Sequence, residues 1–102
     1  MARLKLNPDP TFKAKVAVPV PGGSADIECT FKYRDRDQMK AWIDETAESA
    51  DVDVLMDSLV AWDLEDTFDR DNVERLCTKF PGAAREIVHR YLRELSGIRQ
   101  GN

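Results

Sequence analysis

The first third of the chain contains two segments in which apolar residues occupy every second position. These segments cover residues 11–20 and 27–33, and a Pro-Gly-Gly-Ser sequence lies between them. A period of two is typical of strands with one buried face, and the intervening sequence predicts a turn, so we expect a β-hairpin over about residues 11–33. Because Pro19 has no backbone N–H to donate, the first strand is expected at a sheet edge. A lone hairpin is marginally stable, so its apolar face must pack on helices or pair with another sheet, in the same subunit or in a neighbouring one.

After Asp35 the spacing of the apolar residues changes to three and four, which indicates amphipathic helices. Four helices are predicted, over about residues 36–48, 52–62, 70–80 and 82–96. With 102 residues, the chain is long enough for one small hydrophobic core and too short for two. The expected fold is therefore a single α+β domain, residues 1–102, in which an N-terminal β-hairpin precedes about four α-helices.

Short polar residues at the predicted helix starts support these assignments. Asp35 is expected to cap the first helix within a capping box, and Asp51 and Asp69 are expected to cap the second and third. At the other end of the chain, Gly97 in a left-handed conformation, with Ile98 as its apolar contact, is predicted to end the fourth helix.

Charge is distributed unevenly along the chain, which carries a formal net charge of −4. Residues 41–72 contain eleven acidic residues and one basic residue, whereas residues 1–20 contain four basic and one acidic, and residues 73–102 six basic and three acidic. An acidic middle repels phosphates, so nucleic-acid binding is not expected. Two explanations of the pattern stay open. Oppositely charged segments could attract each other between copies and give a homo-oligomer, or an acidic face could keep a monomer in solution.

No catalytic or metal-binding motif is evident in the sequence. Residues 63–74 place acidic side chains at several positions of a calcium-binding loop, but Phe68 stands where such a loop requires glycine. His89 is the only histidine and has no second metal ligand near it, so it is expected to be a partly exposed helix residue. Cys29 and Cys77 match no metal or nucleophile motif and are expected to be reduced and buried. We therefore expect a protein that is not an enzyme and that needs no cofactor or metal.

The sequence also bears on the compartment. No run of the roughly 20 apolar residues that span a bilayer is present. The first seven residues lead into Pro8 and Pro10 rather than into the apolar core of a secretion signal. The protein is therefore expected to stay in the cytoplasm, with no membrane partner.

Large hydrophobic residues interrupt the acidic segment at Trp62, Leu64 and Phe68, where a purely solvated linker would need none. They either close the core at a corner between two helices or contact a partner, and core closure is the favoured interpretation. If recognition uses exposed aromatic side chains, the candidate partner-binding residues are Trp62, Phe68 and Tyr91.

Several short motifs, in their order and spacing, resemble those of the tail assembly chaperones of long-tailed phages and prophages. In the first half of the chain they are the Leu4–Phe12 entry, the Val18–Gly23 turn and the Phe31–Arg34 strand end. In the second half they are Ala61–Leu64, Phe68, Asn72–Val73, Phe80–Arg85 and Tyr91–Leu95. The resemblance covers about residues 4–95.

This resemblance implies a non-enzymatic morphogenesis factor of the host bacterial cytoplasm that is absent from the finished virion. Such chaperones bind the long, helical tape measure protein and keep it soluble until tail-tube subunits polymerise around it. In this family a longer frameshifted product is often made, and its extension recruits the tail tube protein. A small self-associating domain with apolar grooves suits a client whose apolar stripes would otherwise aggregate. The alternative function is that of a small acidic inhibitor or DNA mimic, which would present the carboxylates of residues 41–72 to a basic host protein.

Overall fold

The alternating segments form the predicted hairpin in a computed structural model of the protein, which describes residues 4–97. Strand β1 covers Thr11–Val20, strand β2 covers Gly23–Lys32, and the two pair antiparallel along their whole length. Only Pro21 and Gly22 lie between them. Gly22 has a φ of 84°, the positive value that the second central residue of a type II turn requires and that glycine adopts without a steric penalty.

One face of the hairpin is apolar, as the period of two predicts. Its buried residues are Ala14, Val16 and Val18 of β1 and Ile27, Cys29 and Phe31 of β2. The opposite face exposes polar side chains, including Lys13 and Lys15. Because the two faces differ so strongly in polarity, burying the apolar face determines the register of the hairpin and the side on which the helices pack.

A third strand, β3 at Leu59–Trp62, completes the sheet in the order β1-β2-β3, which places β1 at an edge as expected. The helix predicted over residues 52–62 is therefore wrong in its second half, and helix α2 covers Asp51–Ser58 only. Residues 59–62 pair with the free side of β2 instead of continuing the helix. The pairing register between β2 and β3 shifts by one residue between Thr30 and Phe31. Such an irregularity adds an extra residue to one strand, and it leaves Val60 exposed.

Helix α1 covers Arg36–Thr46, and its capping box is confirmed. An oxygen of Asp35 accepts a hydrogen bond from the Gln38 N–H at 2.8 Å, and the Gln38 side chain accepts one from the Asp35 N–H at 2.9 Å. The predicted cap at Asp51 is wrong, since the N-cap of α2 is Ala50 and no side chain bonds there. Asp51 is instead the first helical residue, where its charge favours the positive end of the helix dipole.

The last two helices are α3 at Arg70–Lys79 and α4 at Ala83–Ser96. Asp69 caps α3 as predicted, by accepting from the Asn72 N–H at 2.9 Å. Gly97 ends α4 in the predicted left-handed conformation with a φ of 76°, while the expected contact of Ile98 lies outside the described residues.

Helix α4 packs on the apolar face of the hairpin and provides four buried residues, Ala83, Ala84, Ile87 and Tyr91. At its start α4 lies so close to the hairpin turn that a Cβ on Gly82 would stand 3.1 Å from Cγ of Pro19. Trp42, Leu55, Leu59 and Val73 complete the core from the other elements. The arrangement confirms a single α+β domain with an N-terminal hairpin and four helices, to which the structure adds the third strand.

The two cysteines differ in burial. Cys29 on β2 is fully buried, whereas Cys77 on α3 is only half-buried, so the expectation of burial is wrong for Cys77. Cys77 lies on the edge of the helix face that packs against the core, and part of its side chain stays in contact with solvent. Both are free thiols.

Candidate interaction surface

Arg34, in the short segment between β2 and α1, connects the start of α1 to the core. Its guanidinium donates a hydrogen bond of 2.8 Å to the Tyr91 hydroxyl and one of 3.3 Å to the carbonyl of Asp57. The Tyr91 hydroxyl in turn donates to the carbonyl of Lys32 at 2.8 Å. The guanidinium also lies 5.1 Å from the centre of the Trp42 ring, within the range of a cation–π interaction. The Arg34 guanidinium and the Tyr91 hydroxyl therefore link the end of β2, the end of α2 and helix α4.

Aromatic stacking surrounds this polar group. The Tyr91 ring stacks on Phe31 at 4.9 Å and on Phe12 at 6.1 Å, and Trp42 meets it edge-on at 5.2 Å. Burial raises the pKa of the Tyr91 phenol, and the hydrogen bond from Arg34 acts in the opposite direction. Trp42 is the only buried residue of α1, so the position of α1 depends largely on this one contact.

An open groove of about 390 Å³ lies between α1, the start of α2 and α4. We call it the α1–α4 groove. Its apolar lining consists of Trp42, Ile43, Ala47, Val54, Pro81, Ala84, Val88 and Leu92. Several of these side chains remain in contact with water: Ile43 is 41% exposed, and Val88 and Leu92 are half-buried. A concave apolar surface of this size falls within the range of ligand-binding clefts, about 300–1,000 Å³.

The walls of the groove differ in charge. Asp51 lines it on the α2 side, and Arg85 and His89 line it on the α4 side. His89 is exposed, in line with its predicted place on a helix surface. The groove therefore has an apolar floor between one acidic rim and one basic rim.

Two of the three predicted partner-binding residues lie together at the corner between β3 and α3. The rings of Trp62 and Phe68 meet edge-on at 5.2 Å, and the Trp62 indole N–H donates to the carbonyl of Asp66 at 2.7 Å. Both side chains are half-buried and pack against the core, while Leu64 between them is 37% exposed. The corner thus closes the core and also exposes apolar surface.

The third predicted residue, Tyr91, has no exposed surface and belongs to the separate stack with Phe31. The structure therefore does not bring it together with Trp62 and Phe68. Sequence reasoning missed the α1–α4 groove, although one signal pointed to it. The apolar stripe of α4 contains Val88 and Leu92 beside Ile87, which makes the stripe wider than one contact with the sheet requires.

Two of the acidic side chains in residues 63–74 bond to backbone N–H groups. Glu28 N–H donates to a carboxylate oxygen of Asp63 at 2.9 Å, which closes the end of β3, and Asp69 caps α3. Among residues 4–97 no group of three or more His, Cys, Asp or Glu side chains is placed to hold a metal ion. Within the same residues, no helix combines the length and the apolar character that crossing a membrane requires.

The described residues form a small α+β domain with an apolar groove between its helices. Over its whole length, residues 1–102, the chain matches the family model of phage tail assembly chaperones. The protein belongs to the phage tail assembly chaperone family, so it is a phage morphogenesis factor with a tail protein as client. The resemblance seen in the sequence is thereby confirmed. Searches of curated proteins and of solved structures found no match.

Proposed function

We propose that this chaperone binds the tape measure protein and keeps it soluble in the host cytoplasm until tail-tube subunits assemble around it. The observation that carries the proposal is the open apolar groove in a chain that belongs to the tail assembly chaperones. A long helical client exposes apolar stripes that aggregate unless they are covered, and an apolar groove with charged rims covers such a stripe without exposing new apolar surface. The protein acts by binding alone, without catalysis or cofactor, and leaves before the virion is complete.

The corner of Trp62 and Phe68 is a second client contact in this proposal. Its exposed residue Leu64 and the half-buried Trp62 border a small cleft, whose charged lining residues are Asp66, Arg75 and Lys79. Tyr91 contributes from inside the core, because its hydroxyl holds Arg34 and through it the start of α1.

Many copies are required to cover a long client, so the chaperone is proposed to self-associate. The acidic residues 41–72 and the more basic ends of the chain give copies a reason to pack head to tail. A longer frameshifted product, if the gene makes one, would carry the tail tube protein to the same complex.

The test is co-expression of the chain with the tape measure protein of its own phage. We expect the tape measure protein to move from the insoluble to the soluble fraction and to co-elute with the chaperone in size-exclusion chromatography. Light scattering at several concentrations should show a multimer of the chaperone alone. An unrelated acidic protein of similar size serves as the control. A tape measure protein that stays insoluble, beside a strictly monomeric chaperone, would refute the proposal.

Salt separates the chaperone from an acidic inhibitor or DNA mimic. An apolar contact should hold between low and physiological ionic strength, because screening acts on exposed charges over about 10 Å. Complex formation that disappears over this range would favour the inhibitor instead, whereas a weakening limited to the share of the charged groove rims would not.

A further inference from the structure

We propose that the α1–α4 groove holds one amphipathic helix of the client, whose basic flank faces α1 and α2 and whose acidic flank faces α4. This inference rests on the proposed function, because it takes the client to be a helical tail protein. It adds which surface binds, what kind of segment binds there, and how that segment is oriented by charge.

The first step is the shape of the groove. Both walls are helices, and the apolar residues along α4 run from Ala84 to Leu92, which corresponds to about 12 Å at 1.5 Å per residue. At 5.4 Å per turn, this length corresponds to about two turns of a guest helix. Ile43 of α1 and Val88 of α4 provide apolar surface on opposite walls. The apolar face of one amphipathic helix bound in the groove therefore contacts both walls.

The second step is the charge of the α1 and α2 wall. Asp51 lines the groove, and Asp44 and Glu48 follow directly after the lining residues Ile43 and Ala47 on the exposed surface. Lys40 is the one basic residue among residues 40–51. The wall is therefore net acidic and favours basic side chains on the guest.

The third step is the charge of the α4 wall. Arg85 and His89 line the groove, and Arg93 follows one turn later at the same helical spacing. Glu86 lies 3.5 Å from Arg85 and offsets part of its charge. Without counting His89, two basic residues, Arg85 and Arg93, stand against Glu86 on this wall, so it favours acidic side chains on the guest. Because the two rims carry opposite charge, the bound helix has one preferred N-to-C direction along the groove. Reversing the helix would place its basic flank on the basic rim and its acidic flank on the acidic rim.

The fourth step is that the groove exists before the client arrives. Trp42 forms part of its floor and is held by Arg34 and by the edge-on contact with Tyr91. A preformed groove lowers the ordering cost of binding, which lets a short helix bind with useful affinity.

The test uses three labelled synthetic peptides, each an amphipathic helix of about four turns with the same leucine stripe. One peptide carries lysine along one flank and glutamate along the other, the second carries lysine on both flanks, and the third glutamate on both. Fluorescence anisotropy measures their binding to the full chain at low and physiological salt. We expect the mixed peptide to bind about tenfold or more tightly than either single-charge peptide, because each of those faces one rim of like charge.

Two serine variants with matched exposure identify the surface. Ile43→Ser removes an apolar contact in the groove, and Val60→Ser makes a similar change on β3, outside the groove lining, with 41% and 38% exposure in the parent chain. We expect Ile43→Ser to weaken binding of the mixed peptide about tenfold and Val60→Ser to change it less than about twofold. Thermal melts check that both variants fold.

Several outcomes overturn the inference. They are equal binding by all three peptides, unchanged binding by Ile43→Ser, and an equal loss in Val60→Ser. A fourth is that Ile43→Ser reduces self-association in light scattering while no peptide binds, which would assign the groove to a second copy of the chain. If the peptides fail but the tape measure protein still becomes soluble on co-expression, the chaperone function stands and only the assignment of the groove falls.

Discussion

Replacing Tyr91 with phenylalanine tests whether one hydroxyl joins α4, the end of β2 and the start of α1. The ring and its stacking are preserved, and only the two hydrogen bonds of 2.8 Å to Lys32 and Arg34 are lost. A neutral hydrogen bond contributes about 0.5–1.5 kcal/mol and one to a charged group about 1.5–3 kcal/mol. Because Arg34 is only half-buried and keeps its bond to the Asp57 carbonyl, we place the loss near the lower bound, at about 2 kcal/mol.

For a domain of this size, about 2 kcal/mol corresponds to a fall in Tm of about 8–16 °C, which leaves the protein folded at room temperature. Urea and thermal denaturation followed by circular dichroism at pH 7 measure it. Tyr33→Phe is the matched control, because Tyr33 is 37% exposed and its hydroxyl has no hydrogen bond to any of residues 4–97. Its effect should stay within about 0.5 kcal/mol. Equal effects of Tyr91→Phe and Tyr33→Phe would show that the buried hydroxyl does not stabilise the fold.

The remaining predictions concern the first cap, the hairpin turn and alkaline pH. Asp35→Ala should cost about 1 kcal/mol in urea unfolding, since it removes the capping box of α1; a loss of peptide binding together with it would link the cap to the groove. Gly22→Ala should cost about 1 kcal/mol, because its φ of 84° is unfavourable for alanine, and an unchanged denaturation midpoint would contradict this. Burial raises the pKa of Cys29 from 9.0 to about 12, so between these values the folded state holds the proton longer than the unfolded state. The free energy of unfolding should therefore fall above pH 9, by up to about 1.4 kcal/mol per pH unit. Cys29→Ala should make this fall less steep. The raised pKa of Tyr91 should still lower the free energy of unfolding above pH 10 in that variant. A parallel decline in Cys29→Ala and wild type would refute the assignment.

The hairpin and the cap of α1 could be predicted because local physics specifies them. The alternation in residues 11–20 and 27–33 leaves one face that must be buried, and the Pro-Gly pair in between matches a turn. The box of Asp35 and Gln38 needs only residues three apart in sequence. Such signals hold whatever the rest of the chain does.

The third strand could not be predicted in the same way. Leu55, Leu59 and Trp62 lie at spacings that also suit one face of a helix. The free edge of β2 decided the outcome, because its unpaired backbone groups bond to Leu59–Trp62 and no local signal describes that edge. Asp51 was predicted as a cap for a related reason, since the break that ends α1 after Thr46 determines where α2 begins.

The sequence by itself determined the class of fold, the uneven charge and the motifs that mark the family. Local periodicity, capping chemistry and composition carry this information at each position, without any knowledge of distant partners. Only the tertiary structure decided which apolar residues are core and which form a surface. Tyr91, proposed from the sequence as a contact, is buried against β2, whereas Ile43 and Val88 come together across the groove from helices far apart in the chain. Burial depends on what packs opposite a side chain, and that partner is set by the path of the whole chain.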